Sequence, residues 1–466
     1  MEKKQCKGHV LCLPYPTQGH INPLTQFGKR LASKGLKVTI AITTFVANSD
    51  STSTIPEELT ASESSVHFDT ISDGFDHGGW SKAGGSDVYL ARFQAAGSET
   101  LSKLIEKHAG SSSPINCIVY DSFLPWVLDV AKQHGVSGAP FFTQACAVNW
   151  IYYYLHHGLL KMPITSSSVE LPGLPPLKAV DLPSFVTSPE SYPTYLDMVL
   201  KQHVNVDTAD FVIVNTFYEL EAEVIDAMRK QSPVIPIGPT IPSLYLDNRI
   251  KDNKVYGLNL FGPSDNNSIT WLNTKPPGSV VYISFGSLAD LEFRQMEELA
   301  WGIGAAGFHF LWSIRCSEEE SKLPRYFIDQ TSDRGLIVKW TPQVEVLANE
   351  AVGCFFSHCG WNSTTEALSL GVPMVGMPQW TDQPPDAKLI EDVWKIGVRV
   401  KENEEGIVKR EEIEACIRKV MEGEQGKEYK ANAKRWSCLA KEAVSPGGSS
   451  DKNVDEFITK ISSLVG

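Results

Sequence analysis

Three clusters of side chains suited to binding a polar, partly aromatic ligand fall within the 44 residues from Trp340 to Gln383. The segment opens on Trp340-Thr-Pro-Gln343, passes through His358-Cys-Gly-Trp-Asn-Ser-Thr-Thr-Glu366 and closes on Trp380-Thr-Asp-Gln383. Trp340 offers a plane on which a flat base can stack, although alone it reads first as a core residue. At His358, Gly360 permits a tight turn and Asn362-Ser363 start a helix. Helix amides and the positive dipole end suit phosphates, at about 0.3–1 kcal/mol per exposed charge. Ser363-x-x-Glu366 also fits a capping box, so Glu366 reads equally as a cap or as a ribose ligand. Asp382 and Gln383 together accept from and donate to sugar hydroxyls; by itself such a pair is usually a solvated turn. In this order the clusters match the base, the phosphates and the sugar of a sugar nucleotide.

A second constellation lies far away in sequence. Thr17-Gln-Gly19-His20 follows an apolar strand, with Pro23 suited to the first turn of the next helix. Asp121 ends another strand of the same half. Two adjacent strand ends can bring an imidazole and a carboxylate into hydrogen-bond reach, the carboxylate fixing the tautomer and stabilising the imidazolium. A purely structural His20 stays open at this point. A competing pattern, Gly302-x-Gly304-x-x-Gly307, matches a dinucleotide fingerprint but sits inside and at the end of a helix instead of after a strand. Helix packing and a C-cap at Gly307 explain it better. No Walker loop, H-E-x-x-H or EF-hand pattern occurs.

The elements that must position these residues alternate along the chain. Apolar runs at 9–13, 37–42, 115–120, 138–142 and 211–214 read as buried strands, with helices at 22–33, 88–108 and 219–229. The second half repeats this with strands at 279–284, 308–314, 336–339, 353–357 and 373–376, and helices at 293–305, 363–370, 386–394 and 410–421. Continuous apolar strands alternating with helices imply parallel sheets covered on both faces. At 466 residues the chain exceeds one ordinary core, so two α/β domains are expected. With 42% hydrophobic and 21% charged residues, a large core is available and wholesale disorder is disfavoured.

The net charge of −13 disfavours nucleic acid and anionic membrane as partners. It leaves room for a phosphate ligand held by backbone amides. The apolar run at 10–13 is too short for a signal peptide, the aromatic run 145–160 is too short and polar to span a bilayer, and nine cysteines lack any paired Cys-x-x-Cys spacing. A reduced cytoplasmic protein is expected. The domain boundary falls in a Pro-, Asn- and Gly-rich stretch: an N-terminal domain over 1–240, a linker at 241–266, and a C-terminal domain over 267–445. Residues 72–86, with five glycines, read as a mobile surface loop, and 163–193 as a loop over the first domain.

Taken together these motifs resemble those of plant UDP-dependent glycosyltransferases of family 1. The 44-residue segment is similar to the family's signature box in length, ends and internal anchors, and the likeness covers the whole chain. The resemblance implies the GT-B fold, two Rossmann-like doubly wound parallel-sheet domains facing a crevice. It also implies that the final helix, within 446–466, packs back on the N-terminal domain. By the same likeness, Trp340 stacks on uracil, the Thr341 backbone reads the base edge, and Gln343 and Glu366 hold the ribose. Ser287 joins His358, Asn362 and Ser363 on the diphosphate, while Thr143, Trp361, Asp382 and Gln383 surround the sugar. A terminal Gln in the box resembles glucose-using members, so UDP-glucose is the implied donor. His20 is the implied general base and Asp121 its partner, in an inverting transfer that needs no metal or other cofactor.

Pro16-Thr-Gln-Gly-His-Ile-Asn-Pro23 is similar to the branch acting on small acids, phenols and terpenoid or steroid compounds. The acceptor is therefore expected to be a hydrophobic small molecule offering a hydroxyl or carboxyl. Candidate wall residues are Tyr15, Thr17, Phe123, Phe142, Trp150 and Phe185, with Thr381 across the crevice; each aromatic could instead be core. Pro384-Pro385-Asp386 departs from the branch, where Thr-Asn follows one proline. A monomer is expected. The reading from another class is a catalytically silent sugar-nucleotide or small-molecule binding protein, which would keep Trp340 and Glu366 but lose the base.

Overall fold

Nearly every apolar run becomes a buried strand in one of two parallel sheets. The computed structural model describes residues 7–49, 66–251, 253–260, 267–287, 289–315 and 320–464. The chain divides into two compact units. One comprises Met1–Pro176, Phe185–Gly262 and Lys441–Gly466; the other comprises Leu177–Ser184 and Pro263–Ala440.

The first unit carries seven strands: β1 (His9–Leu13), β2 (Lys37–Thr43), β3 (His67–Ile71), β4 (Cys117–Asp121), β5 (Ser137–Phe142), β6 (Val212–Val214) and β7 (Val234–Pro236). Their order is β3-β2-β1-β4-β5-β6-β7. Alternation of side chains divides β1 between two cores. Val10 and Cys12 pack with Leu24, Phe27 and Ile40, whereas Leu11 and Leu13 pack with Phe93, Tyr120 and Leu128. Each such aliphatic residue, fully buried, contributes about 1.5–3 kcal/mol before entropy is counted.

The second unit carries β8 (Val280–Ser284), β9 (His309–Ser313), β10 (Gly335–Val338), β11 (Val352–Ser357), β12 (Met374–Gly376) and β13 (Gly397–Arg399), in the order β10-β9-β8-β11-β12-β13. Both sheets run outward in two directions from a central pair, β1/β4 and β8/β11. Those pairs are the topological switch points, where open α/β sheets bind ligands beyond the strand carboxyl ends.

Several expectations need correction. The helix after β1 spans Gln18–Ser33, four residues earlier than predicted, because Thr17 is the extended N-cap and its carbonyl accepts from both His20 and Ile21. Pro23 is thus interior to the helix, beyond its first turn. The glycine-rich 72–86 segment is tied down: buried Asp73 accepts from the Tyr89 hydroxyl at 2.9 Å and the Phe75 amide at 2.8 Å, and Phe75 stacks on Tyr89. The stretch 163–193 does not stay with one domain, since Leu177–Ser184 joins the second unit. Where described, the 241–266 segment is packed: Gln26 donates to the carbonyls of Val255 (2.9 Å) and Tyr256 (2.5 Å), and Leu258 is fully buried in the first-unit core. Residues 261–266 lie outside the described residues.

The C-terminal helix, Ser449–Ser463, places Val454, Phe457 and Ile461 in the same core as β1. The Gly302-x-Gly304 pattern lies within the helix Phe293–Ala306, and Gly307 (φ 75°) caps it. A Cβ on Gly302 would meet Ile413 at 2.7 Å, so the glycine permits close helix packing.

Candidate active site

At the first switch point, β1 and β4 deliver His20 and Asp121 to one place. Asp121 is the last residue of β4, fully buried, and His20 lies in the first turn of the helix after β1. His20 Nδ1 and Asp121 Oδ2 are 2.5 Å apart. The other carboxylate oxygen, Oδ1, accepts from the Phe123 amide at 3.0 Å. A carboxylate oxygen accepts, so a hydrogen bond in this pair uses the proton of Nδ1, the tautomer that leaves the lone pair on Nε2. The imidazole is further held by ring contacts with Tyr15 (5.6 Å) and Phe123 (5.0 Å). Thr143, just after β5, brings its hydroxyl to 3.3 Å from the same Nδ1. Thr143 was expected around the sugar with residues of the second half; the contact observed is with the His20–Asp121 pair.

At the second switch point, β8 leads through Phe285-Gly286 to Ser287, and β11 leads through His358-Cys359-Gly360 into the helix Trp361–Leu370. Both turns are shaped around the His358 ring. A Cβ on Gly286 (φ 71°) or on Gly360 would come within 2.7 Å of His358 Nε2. Burial pushes the His358 pKa down to about 4, a bond to the Ser284 backbone only partly countering it. At neutral pH this imidazole is therefore an uncharged hydrogen-bond partner, not a cation.

The helix N-cap is Gly360, with no side-chain cap. That removes the capping-box reading of Ser363 and Glu366. Instead, Gln343 donates to Ser363 Oγ at 2.9 Å and to Glu366 Oε2 at 2.8 Å, and its own Oε1 accepts from the Tyr282 hydroxyl at 3.3 Å. Glu366 is 3% exposed, so its carboxylate is held in a defined polar network. Trp340 follows β10 and is part-exposed, unlike a core tryptophan. Together with Phe285, Gly286, Trp312 and Arg315 it lines a small recess at the carboxyl ends of β8–β10. Thr341 is buried, its hydroxyl bonded to Ser268 at 2.7 Å.

Asp382 and Gln383 do not form a solvated turn, being only 7% and 3% exposed. Gln383 Oε1 accepts from the amides of Gln379 (2.8 Å) and Trp380 (3.1 Å), which orients its NH2 group as the donating half of the pair. The following helix is Gln383–Lys388, beginning earlier than the predicted 386. Pro384 and Pro385 fall in its first turn, where a missing N–H removes no intrahelical bond. Asp386 is fully buried.

Residues 263–447 match the family described as "UDP-glucoronosyl and UDP-glucosyl transferase". The chain is 53% identical to UDP-glycosyltransferase 74F2 of Arabidopsis thaliana, over 99% of this chain and 100% of that protein. It is 52% identical to the flavonol 7-O-beta-glucosyltransferase UGT74F1 of the same plant, over 99% of each. Its structure matches Os79 from O. sativa in complex with UDP at a TM-score of 0.89 and 41% identity, covering 97% of this chain and 100% of Os79. The chain belongs to the UDP-dependent glycosyltransferases.

The GT-B fold of this glycosyltransferase follows from the same structural match, and its chemistry is sugar transfer from a UDP-sugar to a small molecule. Among the described residues no group of three or more His, Cys, Asp or Glu side chains could hold a metal ion, and no helix is long and apolar enough to cross a membrane. The acceptor candidates divide. Tyr15, Thr17, Phe123 and Thr381 are part-exposed. Phe142, Trp150 and Phe185 are each 3% exposed and engaged: Phe142 with His203, the Trp150 indole N–H with the Pro172 carbonyl at 3.1 Å, Phe185 stacked on Tyr195.

Sequence reasoning missed the segment Leu177–Ser184. Ser184 exchanges two hydrogen bonds with Thr381: its amide donates to the Thr381 carbonyl at 3.0 Å, and its hydroxyl accepts from the Thr381 amide at 2.7 Å. No periodicity marks this segment; its charged residues are Lys178 and Asp181, among apolar residues, one proline and one serine.

Proposed function

We propose that this enzyme transfers glucose from UDP-glucose to a hydroxyl or carboxyl of a hydrophobic small molecule, with inversion at the anomeric carbon and His20 as the general base. The observation that carries this reading is the His20–Asp121 pair. Its 2.5 Å contact to a fully buried carboxylate leaves Nε2 with the lone pair. Nε2 takes the acceptor's proton as the acceptor oxygen bonds to the anomeric carbon. The bond from that carbon to the β-phosphate oxygen breaks, UDP departs with the electron pair, and an α-linked donor gives a β-glucoside. Asp121 stabilises the imidazolium so formed.

On the donor side, Trp340 stacks on the uracil while the Thr341 backbone reads its edge. Gln343 and Glu366 take the ribose hydroxyls. The diphosphate lies at the start of the helix Trp361–Leu370 with Ser287, His358, Asn362 and Ser363. Because His358 is neutral before the ligand binds, its contribution is a directed hydrogen bond, and the helix amides carry most of the electrostatic stabilisation of leaving UDP. Asp382 accepts from the sugar hydroxyls and the Gln383 NH2 donates to them, next to Trp361 and with Thr143 near the reacting end. Tyr15, Thr17, Phe123 and Thr381 line the acceptor side, backed by Phe142, Trp150 and Phe185.

The reading is tested by incubation with UDP-glucose and a panel of flavonols, other phenols, steroids and aromatic acids, with UDP release measured and the product anomer assigned by NMR. A β-linked glucoside is expected. UDP binding without turnover on every acceptor would sink it and leave a silent binding protein; the intact His20–Asp121 pair favours transfer over that alternative.

A further inference from the structure

Thr381 has φ 57°, a left-handed conformation that is a strained outlier for a β-branched residue. Such a conformation persists only where its surroundings over-determine it, and here Ser184 bonds both the amide and the carbonyl of Thr381. Asp382 and Gln383 follow directly. From the other side, Gln383 Oε1 grips the amides of Gln379 and Trp380, and Gln379 donates to the carbonyls of Met377 (3.0 Å) and Pro378 (3.3 Å). The loop from Met377 to Gln383 is therefore clamped internally by glutamines and externally by one serine.

Ser184 is itself anchored. Asp181, 5% exposed, accepts from Arg399 Nη1 at 3.2 Å and lies 3.7 Å from Lys388 Nζ, while the Val180 carbonyl accepts from Arg399 Nη2 at 2.9 Å. Arg399 ends β13 and Lys388 ends the helix that begins at Gln383. The strap Leu177–Ser184 thus bears on both ends of the element carrying the sugar-reading pair.

We propose that Ser184 is a positioning residue for donor-sugar recognition. By holding Thr381 left-handed, it sets the direction of Asp382 and Gln383 and thereby the enzyme's choice among UDP-hexoses. The inference rests on the reading of Asp382 and Gln383 as the sugar-binding pair. In Ser184→Ala the hydroxyl acceptor is lost. KM for UDP-glucose should rise about tenfold, the equivalent of one lost buried hydrogen bond. The preference for UDP-glucose over UDP-galactose should fall by a similar factor. Inhibition by UDP, which has no sugar, should change less than about twofold. Adding Thr381→Gly should recover most of the loss, because glycine holds φ near +57° without help. Asp181→Asn, which loosens the anchor at a distance, should move the same quantities in the same direction by less, and it serves if Ser184→Ala does not fold.

Unchanged sugar preference in Ser184→Ala, or weakening of UDP by the same factor as UDP-glucose, overturns the proposal, as does a double variant no better than the single. Asp382→Asn separates the two layers. If it leaves the gap between UDP-glucose and UDP unaltered, the sugar-pair reading itself fails; if it closes that gap while Ser184→Ala does not, only the positioning role fails.

Discussion

Replacing Asp121 by Asn tests the dyad with almost no change of shape. The carboxylate is fully buried and 2.5 Å from His20 Nδ1. Asn can still accept from the Phe123 amide through its carbonyl, which turns its NH2 toward Nδ1. The imidazole must then accept at Nδ1 and carry its proton on Nε2, the wrong tautomer for a base. The negative charge facing the imidazolium is lost as well. At ~4 Å and an effective dielectric of ~20 a full charge pair is worth about 4 kcal/mol. The amide retains part of that through hydrogen bonding, so about 2.7 kcal/mol, or 10²-fold in kcat, is the expected loss. Packing of Tyr15 and Phe123 on the ring preserves its position, so KM for UDP-glucose should stay within about twofold. The assay is initial-rate UDP release with a phenolic acceptor at saturating donor. Wild-type kcat in Asp121→Asn would remove Asp121 from the mechanism. A loss appearing only in the donor KM would make its role structural.

Trp340→Ala should weaken UDP by about 1–3 kcal/mol, the range for base–aromatic stacking, read by calorimetry; an unchanged affinity would return Trp340 to a packing role. Gly286→Ala forces a Cβ to 2.7 Å from the His358 ring at a positive φ, so UDP affinity should fall at least tenfold while the first unit's unfolding is untouched. Acid should act on the first unit through Asp247 and Asp451. Burial alone would raise both carboxyls, but Arg30, Ser243 and Arg249 around Asp247, and Lys34 and Arg249 around Asp451, hold each down at about 2. Folded values below the ordinary one mean stability that is complete above pH ~4 and lost as pH falls towards 2. Asp247, whose side chain is 1% exposed, accounts for about 2 kcal/mol of it. Urea unfolding of Asp247→Asn should show a shallower decline between pH 5 and pH 3 than wild type, and an identical slope would refute that assignment.

The strand ends were readable because burial on both faces leaves continuous apolar runs, and the ligand-facing residues follow directly after them. Hence Asp121, His358 and Trp340 stand where their strands predict. Helix starts were less readable. Pro23 suggested a first turn that the backbone does not use, since proline is tolerated here beyond the first turn, and the helix expected from Asp386 begins three residues earlier, at Gln383. β3 (HFDTI) escaped notice because it is an edge strand with mostly part-exposed or exposed side chains and no apolar run. The Ser363–Glu366 pair matched a capping box, yet the partner that engages both is Gln343, about twenty residues earlier; spacing within one helix carries no information about it. Leu177–Ser184 was hidden for the same reason, its partners Thr381, Lys388 and Arg399 being about 200 residues away.

The most direct test of His20 as the base compares His20→Ala on two acceptor classes, a phenol and an aromatic carboxylic acid, each with saturating UDP-glucose at neutral pH. The phenol must surrender a proton in the transfer, whereas the acid is already ionised. A base at His20 predicts a fall in kcat of at least about 10²-fold for the phenol and a much smaller fall for the acid. Equal losses on both would contradict proton removal by His20.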